Sequence, residues 1–583
     1  MSFLSRIMVL KSKAHFSTDG NNRPSDGFSR STFEGARKRK ATQARSRVVL
    51  LVASFIAVYC VIGARLAQFA MTPPDTTSSI LPPDRLMASR PDIVDRNGAL
   101  LATDIRTVSL FAEPNKIIDP DEAVEELRKV LPDLDAKSTY KKLSVKSSHF
   151  AWLRRQLTPK QQSQILALGI PGIGFRPEKR RFYPGGSTAA HILGYVNIDN
   201  RGVAGMEKYI DDQGLADLAA AGMTNDQPLQ PVKLSIDLRV QDIVHDAVVN
   251  AVKNFQAKGA GAAVINVHTG EVVAMASAPD FDPNYPNEGA SEGWLNRMTN
   301  GTFEMGSTFK TFTMAMAFDS GKVTLRDAFD ATNPIRIGGF TIKDFHGQHR
   351  VLTVPEIFQY SSNIGTAKIA DLVGIDAHKE FLTRIGLLSK MQTELPEVKM
   401  PTQPRVWKKI NSITISFGHG VSTTPLQTAV AGAALVNGGK LIEPTFLPRT
   451  LDQADEIAKL VVKKSTSDNV RFLLDFNGSK GSGRAARVPG YDVGSKTGTA
   501  DKVVNGRYSN TLNFNTFMAA FPIDNPQYII MTFCDEPKTG EHGGTISAYT
   551  AAPIARDIIA RAAPILGIQP SFGNGNSALL VSY

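Results

Sequence analysis

From Val48 to Ala64 the chain reads VVLLVASFIAVYCVIGA without a charge, and RLAQFAM continues it to Met71, with Arg65 and Gln68 long enough to reach a polar interface. No other feature limits the fold so strongly, because a helix of this composition has no polar face to turn toward water. At about 1.5 Å per residue its 24 residues extend about 36 Å, more than the roughly 30 Å of a bilayer's hydrocarbon core. A membrane-spanning helix over 48–71 is therefore expected. Arg37, Lys38, Arg39, Lys40, Arg45 and Arg47 precede it, which favours a cytoplasmic N-terminus and places the bulk of the chain outside. A cleaved signal peptide is the competing reading; the long basic leader and the lack of an A-x-A site directly after the apolar run argue for a retained anchor.

The formal charge of +11 raises the question of nucleic acid, but residues 1–47 alone hold eleven Lys/Arg against Asp19, Asp26 and Glu34. The rest is nearly balanced, with no basic stripe carrying spaced aromatics, so no nucleic-acid partner is expected. Cys60 lies in the apolar segment and Cys534 is the only cysteine beyond it, so no disulfide can staple the exported part. Its stability must come from burial. With 583 residues, 42% of them apolar, the chain is long enough for two or three domains, each burying its own core.

The organisation expected is a basic tail over 1–47, the anchor over 48–71, an extracytoplasmic domain over 72–230, a second over 231–567 and a polar tail over 568–583. The domain at 72–230 opens on the Pro- and Ser-rich linker TPPDTTSSILPPD, and mixes strand-like TVSLFAEP with helical DEAVEELRKVL. Past Pro231, KLSIDLRVQDIVHDAVVNAVKNF passes from strand to helix. AAVINV and EVVAMASA flank a His268-Thr269-Gly270 turn as a hairpin, and TFMAAF and YIIMTFC read as further strands. The fold class expected is α+β, an antiparallel sheet packed with helices.

Three short motifs stand in order in this second domain: Ser307-Thr308-Phe309-Lys310, Ser361-Ser362-Asn363 and Lys496-Thr497-Gly498-Thr499. Together they point to a serine acyltransferase. Singly they are weak, since S-x-x-K arises by chance about two or three times in such a chain, and Ser138 with Lys141 is a decoy. Ser467-Asp468-Asn469 reads as a helix cap, and Lys538-Thr539-Gly540 is followed by Glu541, which repels an anionic substrate. Ser307 follows Gly306 at the start of an apolar helical run, so Lys310 falls one turn on and close enough to take the hydroxyl proton. That task requires a neutral amine, hence burial and a nearby cation such as Lys496; Phe303, Met305, Phe309 and Phe312 are candidates for the apolar wall.

On these motifs, and on RPDIVDRNGALLA at 90–102, RRFYPGGSTAAHILGY at 180–195 and Gly202-Val203-Ala204-Gly205-Met206-Glu207, the chain resembles a class B penicillin-binding protein of the division-specific, FtsI-like kind. NRMTNGTFEMGSTFK, SSNIGTAKIA, FGHGVSTTPLQTA, NGGKLIEP and AFPIDNPQYIIMTFCDEPK extend the resemblance in order. It implies a transpeptidase domain of the serine β-lactamase-like fold on an elongated pedestal, anchored in the inner membrane and facing the periplasm. Ser307 would attack the penultimate D-alanine of a stem pentapeptide and release the last, with Lys310 as base, Ser361 as proton relay and Asn363 as orienting group. Lys496, Thr497 and Thr499, with Gly498 between them, would bind the terminal carboxylate, and the Ser307 and Thr499 N–H groups would form the oxyanion hole. β-Lactams would acylate Ser307, and a membrane-embedded glycan polymerase and other division proteins would be its partners. Two departures stand out: Met305 where proline is usual, and Ser362 in place of Asp.

An elongation-type enzyme, a β-lactamase, a β-lactam sensor and a non-catalytic division scaffold are the alternatives. The anchor and pedestal disfavour the β-lactamase, the tail offers no output domain for a sensor, and retention of Ser307, Lys310 and Lys496 disfavours the scaffold. No H-E-x-x-H array or phosphate loop occurs, so neither metal nor cofactor is expected; His346 and His349 read as loop residues near the cleft.

Overall fold

The computed structural model describes residues 52–64, 90–214, 230–288, 291–504 and 506–571. These divide between two compact units, within residues 1–84 and 85–583. In the first, residues 52–64 are helical and exposed all round, Phe55 at 61% and Tyr59 at 70%. The remainder of the expected span, the basic tail, the Pro/Ser linker and residues 572–583 lie outside the described residues. Among the described residues no helix is long and apolar enough to cross a membrane.

The second unit opens with a mixed sheet. Its longest strand, β2 (Leu100–Ala112), follows the two-residue β1 (Ile93–Val94) and pairs antiparallel with β1, β3 (Ala151–Leu157) and β4 (Ile173–Phe182). Helices α1 (Pro120–Val130) and α2 (Ala136–Leu143) pack on the outer part of this sheet. The DEAVEELRKVL stretch forms α1 because Asp119 accepts the free N–H groups of Asp121 and Glu122 and Pro120 begins the first turn, while Ala123, Val124 and Leu127 line the buried side. Leu127, Leu131 and Leu143 join Leu110 and Leu157 in a small separate core.

The base of this region has no core of its own. Ile93, Leu101, Tyr183, Ile192 and Met206 belong to the same apolar cluster as Phe309, Phe312 and Met531 of the larger half, contrary to the expectation of separate cores. The crossing strand β5 (Val232–Lys233) pairs parallel with β1 before the chain enters helix α3 (Leu238–Asn254). Polar contacts tighten the joint. Asp95 accepts from Asn97 N, Ala99 N and, across it, Leu238 N at 3.0 Å, while Arg96 pairs with Glu271 at 3.0 Å. The DRNG motif is thus a fastener between the two halves.

The larger half is built on the expected antiparallel sheet, in the order β8 (Gly494–Val504), β9 (Arg507–Phe521), β10 (Tyr528–Asp535), β6 (Gly259–Asn266), β7 (Val272–Ala278). Strands β6, β7 and β10 are almost wholly buried because helices cover both faces. Ala260, Ala262 and Val264 of β6 face α3 and the C-terminal helix α8 (Ala551–Ala562), and the alternate residues Ala263 and Ile265 face the other way. That second face carries α4 (Lys310–Asp319), α6 (Pro425–Val436) and α7 (Lys464–Lys480), with α5 (Asn363–Val373) against α4. Sheet order leaves β8 as the edge strand beside the start of α4.

Candidate active site

The turn before α4 carries Ser307. Gly306–Phe309 form one tight 3-10 turn that runs into α4 at Lys310, so the expected one-turn spacing is realised. Gly306 sits at φ +54°, and a Cβ on it would lie 2.6 Å from the Thr499 carbonyl oxygen. Gly498 is equally confined, its Cβ direction blocked 2.3 Å away by the Met305 carbonyl. Only glycines let the nucleophile turn lie against the β8 backbone, since a Cβ on Gly306 would also meet Thr499 N at 3.0 Å and one on Gly498 would meet Thr308 N at 2.9 Å. Met305 is fully buried and its carbonyl accepts from Thr308 Oγ1 at 2.7 Å and Thr516 Oγ1 at 2.9 Å, so the turn is pinned without proline. Phe309 and Phe312 pack edge-on in the core below, and Phe303 stacks on Phe514 at 4.0 Å.

Lys310 and Lys496 are both fully buried. Lys310 Nζ donates to the Ser361 carbonyl and to Asn363 Oδ1 at 2.8 Å, and lies 3.1 Å from Ser361 Oγ. Lys496 Nζ approaches the same Oγ at 3.1 Å and donates to the Thr497 carbonyl at 3.1 Å, with its charge over the Phe358 ring at 5.5 Å. The two carbonyl acceptors around Lys310 take two N–H groups, and a hydroxyl in the third position can donate to a neutral amine's lone pair. Ser361 Oγ therefore bridges two lysine nitrogens. Among the described residues Ser307 Oγ and Lys310 Nζ share no hydrogen bond, a departure from the expected direct contact that follows from the three closer partners holding the amine.

Burial and the Lys496 charge push Lys310 well below the ordinary lysine range, and burial brings Lys496 down to about 7. Both share one leading cause: an ammonium in an apolar interior has lost its hydration. Ser361 holds φ +55°, a left-handed conformation costly for a serine, and it is this bend that presents both its carbonyl and its hydroxyl to Lys310. Ser362 caps α5, accepting from Gly365 N at 2.9 Å and donating to Asp344 Oδ2 at 2.7 Å, so the residue standing where Asp is usual is buried and satisfied. On β8, Thr497 and Thr499 are half-buried between the buried Lys496, Gly498 and Ala500. Thr497 Oγ1 lies 2.6 Å from Ser482 Oγ, and Thr499 Oγ1 accepts from Ser547 N at 3.2 Å.

All eight residues expected at a site thus lie on three adjoining segments: the turn into α4, the start of α5 and the β8 strand. The decoys are elsewhere: Ser138 and Lys141 are exposed on α2. The Ser467 expectation needs correction. Lys463 occupies the cap position, whereas Ser467 lies inside α7, fully buried, and its Oγ accepts from Gly438 N at 3.1 Å. Buried apolar neighbours on this face draw Ser467 inward, and the cap stands four residues earlier, at Lys463.

Sequence reasoning missed several groups around the cleft. His419 packs near Phe417 and Tyr508, and burial followed by the Lys310 charge lowers it to about 4, so the ring is neutral. Glu304 accepts from Gly420 N at 2.7 Å and Tyr508 Oη at 3.2 Å, its carboxyl raised by burial. Asp344 holds the α5 N-terminus. FGHG, which holds His419, and NRMTNGTFEMGSTFK, which holds Glu304, were noted as segments, but neither residue was singled out. Among the described residues no group of three or more His, Cys, Asp or Glu is arranged around a metal position.

With this geometry in view, two family models match: the penicillin-binding protein transpeptidase domain over residues 260–560 and the penicillin-binding protein dimerisation domain over 85–215. The probable peptidoglycan D,D-transpeptidase FtsI of Caulobacter vibrioides is 38% identical over 82% of this chain and 82% of its own. The peptidoglycan D,D-transpeptidase FtsI of Escherichia coli is 30% identical over 83% and 85%. A peptidoglycan synthetase structure from Bifidobacterium adolescentis superposes with a TM-score of 0.64 at 21% identity, covering 83% of this chain and 97% of its own, a likeness of fold.

Proposed function

From the premise that this chain belongs to the class B penicillin-binding proteins, with a transpeptidase and a dimerisation domain, we propose that it cross-links peptidoglycan at the division septum through an acyl-enzyme on Ser307. The chain is a peptidoglycan D,D-transpeptidase of the FtsI type. The observation that carries the site reading is Ser361 Oγ, set between two buried lysine nitrogens at 3.1 Å each.

Ser307 Oγ attacks the carbonyl of the penultimate D-alanine of a stem pentapeptide. Its proton passes to Lys310, whose depressed affinity lets it act as a base near neutrality. Ser361 carries a proton from the lysines to the leaving D-alanine amine. The N–H groups of Ser307 and Thr499 hold the oxyanion, each contributing about 3 kcal/mol in the transition state. Thr497, Thr499 and Lys496, when protonated, take the terminal carboxylate, and Gly498 lets that backbone approach. An amine from a neighbouring stem peptide then attacks the ester and completes the link. A β-lactam enters the same path and stays on Ser307.

The anchor belongs to this reading too. Residues 52–64 form a helix that exposes Val52, Phe55, Ile56, Val58, Val61 and Ile62 on every side, which supports a single span over 48–71 in the inner membrane, with the basic tail inside and the catalytic domain in the periplasm. A membrane-embedded glycan polymerase and other division proteins are the partners this topology suits.

The test is intact mass after exposing the full chain in detergent to benzylpenicillin, with Ser307→Ala and Ser138→Ala in parallel. One stable adduct lost only in Ser307→Ala is expected. Rapid return to the free mass would instead favour a β-lactamase, and no adduct in any variant a scaffold.

A further inference from the structure

The turn that carries Ser361 and Asn363 is held from outside the three motifs. A short hairpin, Ile335–Ile337 against Phe340–Ile342, reaches toward the N-terminus of α5. Ile342 is buried with Ala367 of α5, Ile413 and Phe417, a small core that fixes the hairpin's end on the helix. Two residues on, Asp344 Oδ2 accepts from Ser362 Oγ at 2.7 Å and Oδ1 from Ile364 N at 2.9 Å. The neighbouring Lys343 carbonyl accepts from Asn363 Nδ2 at 3.0 Å, which orients the amide so that its Oδ1 faces Lys310.

We propose that Asp344 is a positioning residue of the acyl-transfer centre, its carboxylate clasping the chain on both sides of Asn363 so that the strained Ser361 turn presents its acceptors to Lys310. This inference rests on the transpeptidase reading of the site. The strain identifies what the clasp is for: a serine at φ +55° relaxes unless its neighbours over-determine it, and Ser362, Asn363 and Ile364 are all tied to the 343–344 segment. With no carboxylate inside the motif itself, the turn takes its acid from the loop after the hairpin.

A second consequence follows from charge. Lys310 is faced by Lys496 from β8, by the neutral ring of His419 from the loop after Phe417, and by Asp344, beside which stands the exposed Lys343. Asp344 is the acid among them that opposes burial and Lys496, drawing the Lys310 proton affinity upward. Removing its charge leaves Lys310 easier to deprotonate, so the acid limb of the acylation profile moves to lower pH.

The experiment measures acylation of the full chain in detergent by a fluorescent penicillin across pH, with thermal unfolding as the control for folding. Asp344→Asn keeps an acceptor for Ile364 N but offers Ser362 Oγ a donor in place of an acceptor, so its plateau falls less than that of Asp344→Ala while the acid limb moves down. Asp344→Ala loses the clasp as well, and its plateau falls about 10- to 100-fold, the rate equivalent of a hydrogen bond to a charged group. Ser362→Ala breaks half the clasp with the charge in place, so the plateau falls and the limb stays. A wild-type profile for Asp344→Asn, or an undiminished plateau for folded Asp344→Ala, would overturn the proposal. Failure of the wild-type chain to acylate at all would overturn the transpeptidase reading instead.

Discussion

Two buried charge assemblies in this molecule are opposites. At the pedestal base Glu207, wholly buried, accepts from Arg90 Nε at 2.9 Å and Arg181 Nε at 2.6 Å, and Arg181 also reaches Asp104 at 3.2 Å and the Pro91 carbonyl at 2.9 Å. Every charge there meets its opposite. In the catalytic site, two lysines share one hydroxyl, and among the described residues no carboxylate touches either nitrogen. A compensated cluster keeps its charges and locks a structure, whereas an uncompensated one sheds protons and becomes reactive. The pedestal signatures at 90, 181 and 207 are the first kind, the S-x-x-K, S-x-N and K-T-G motifs the second.

The contrast is sharpest in Lys310→Met. Acylation of Ser307 should fall about 10²- to 10⁴-fold, the usual share of a general base, while the melting temperature holds or rises because a buried amine that folding forces to give up its proton has been removed. A melting point well below wild type would erase the distinction. Glu207→Ala should do the reverse, costing about 3 kcal/mol in unfolding because Arg90 and Arg181 lose the carboxylate they share and keep only Asp211 and Asp104, with acylation per folded molecule unchanged.

Lys496→Met tests the sign of the charge effect through pH. Its folded affinity lies near 7 against an unfolded value of 10.5, so the unfolded chain binds the extra proton between those limits. The contribution is fully present above the unfolded value and lost as pH falls toward 7, so wild-type stability climbs with pH across this window. In Lys496→Met that climb should be shallower, as read from melting temperatures over the same range. A smaller effect is expected of Ser361→Gly: the relieved left-handed strain should raise stability by about 1 kcal/mol while the lost hydroxyl slows acylation. Smallest of all, Lys464→Ala removes an exposed i,i+4 pair with Asp468 and should change stability by less than about 0.5 kcal/mol.

Much of this was legible before any coordinates. The strands at AAVINV, EVVAMASA, TFMAAF and YIIMTFC and the helix after Ser307 all fall where pattern and turn residues put them, because alternation and glycine placement act within a few residues. Less local matters escaped. The pedestal signatures were visible as a pattern but not as one ion cluster, since nothing along the chain pairs Arg90 with Glu207. Asp344 carried no signal either, standing in a polar loop like many others. Ser467 was misread for a related reason: its cap-like sequence was overruled by the packing of α7 against the sheet and α6.

The sequence by itself determined which groups are available: one hydroxyl and one amine a helical turn apart, a second amine on a strand edge, and glycines where backbones must touch. Tertiary structure alone decided that they react. A lysine's proton affinity depends on the water taken from it and on the charges brought near it, and both are set by chain segments remote in sequence: Lys496 on the edge strand, Phe358 beneath it, Asp344 in the loop after the hairpin. Composition and spacing are properties of the chain, but desolvation is a property of the packed interior.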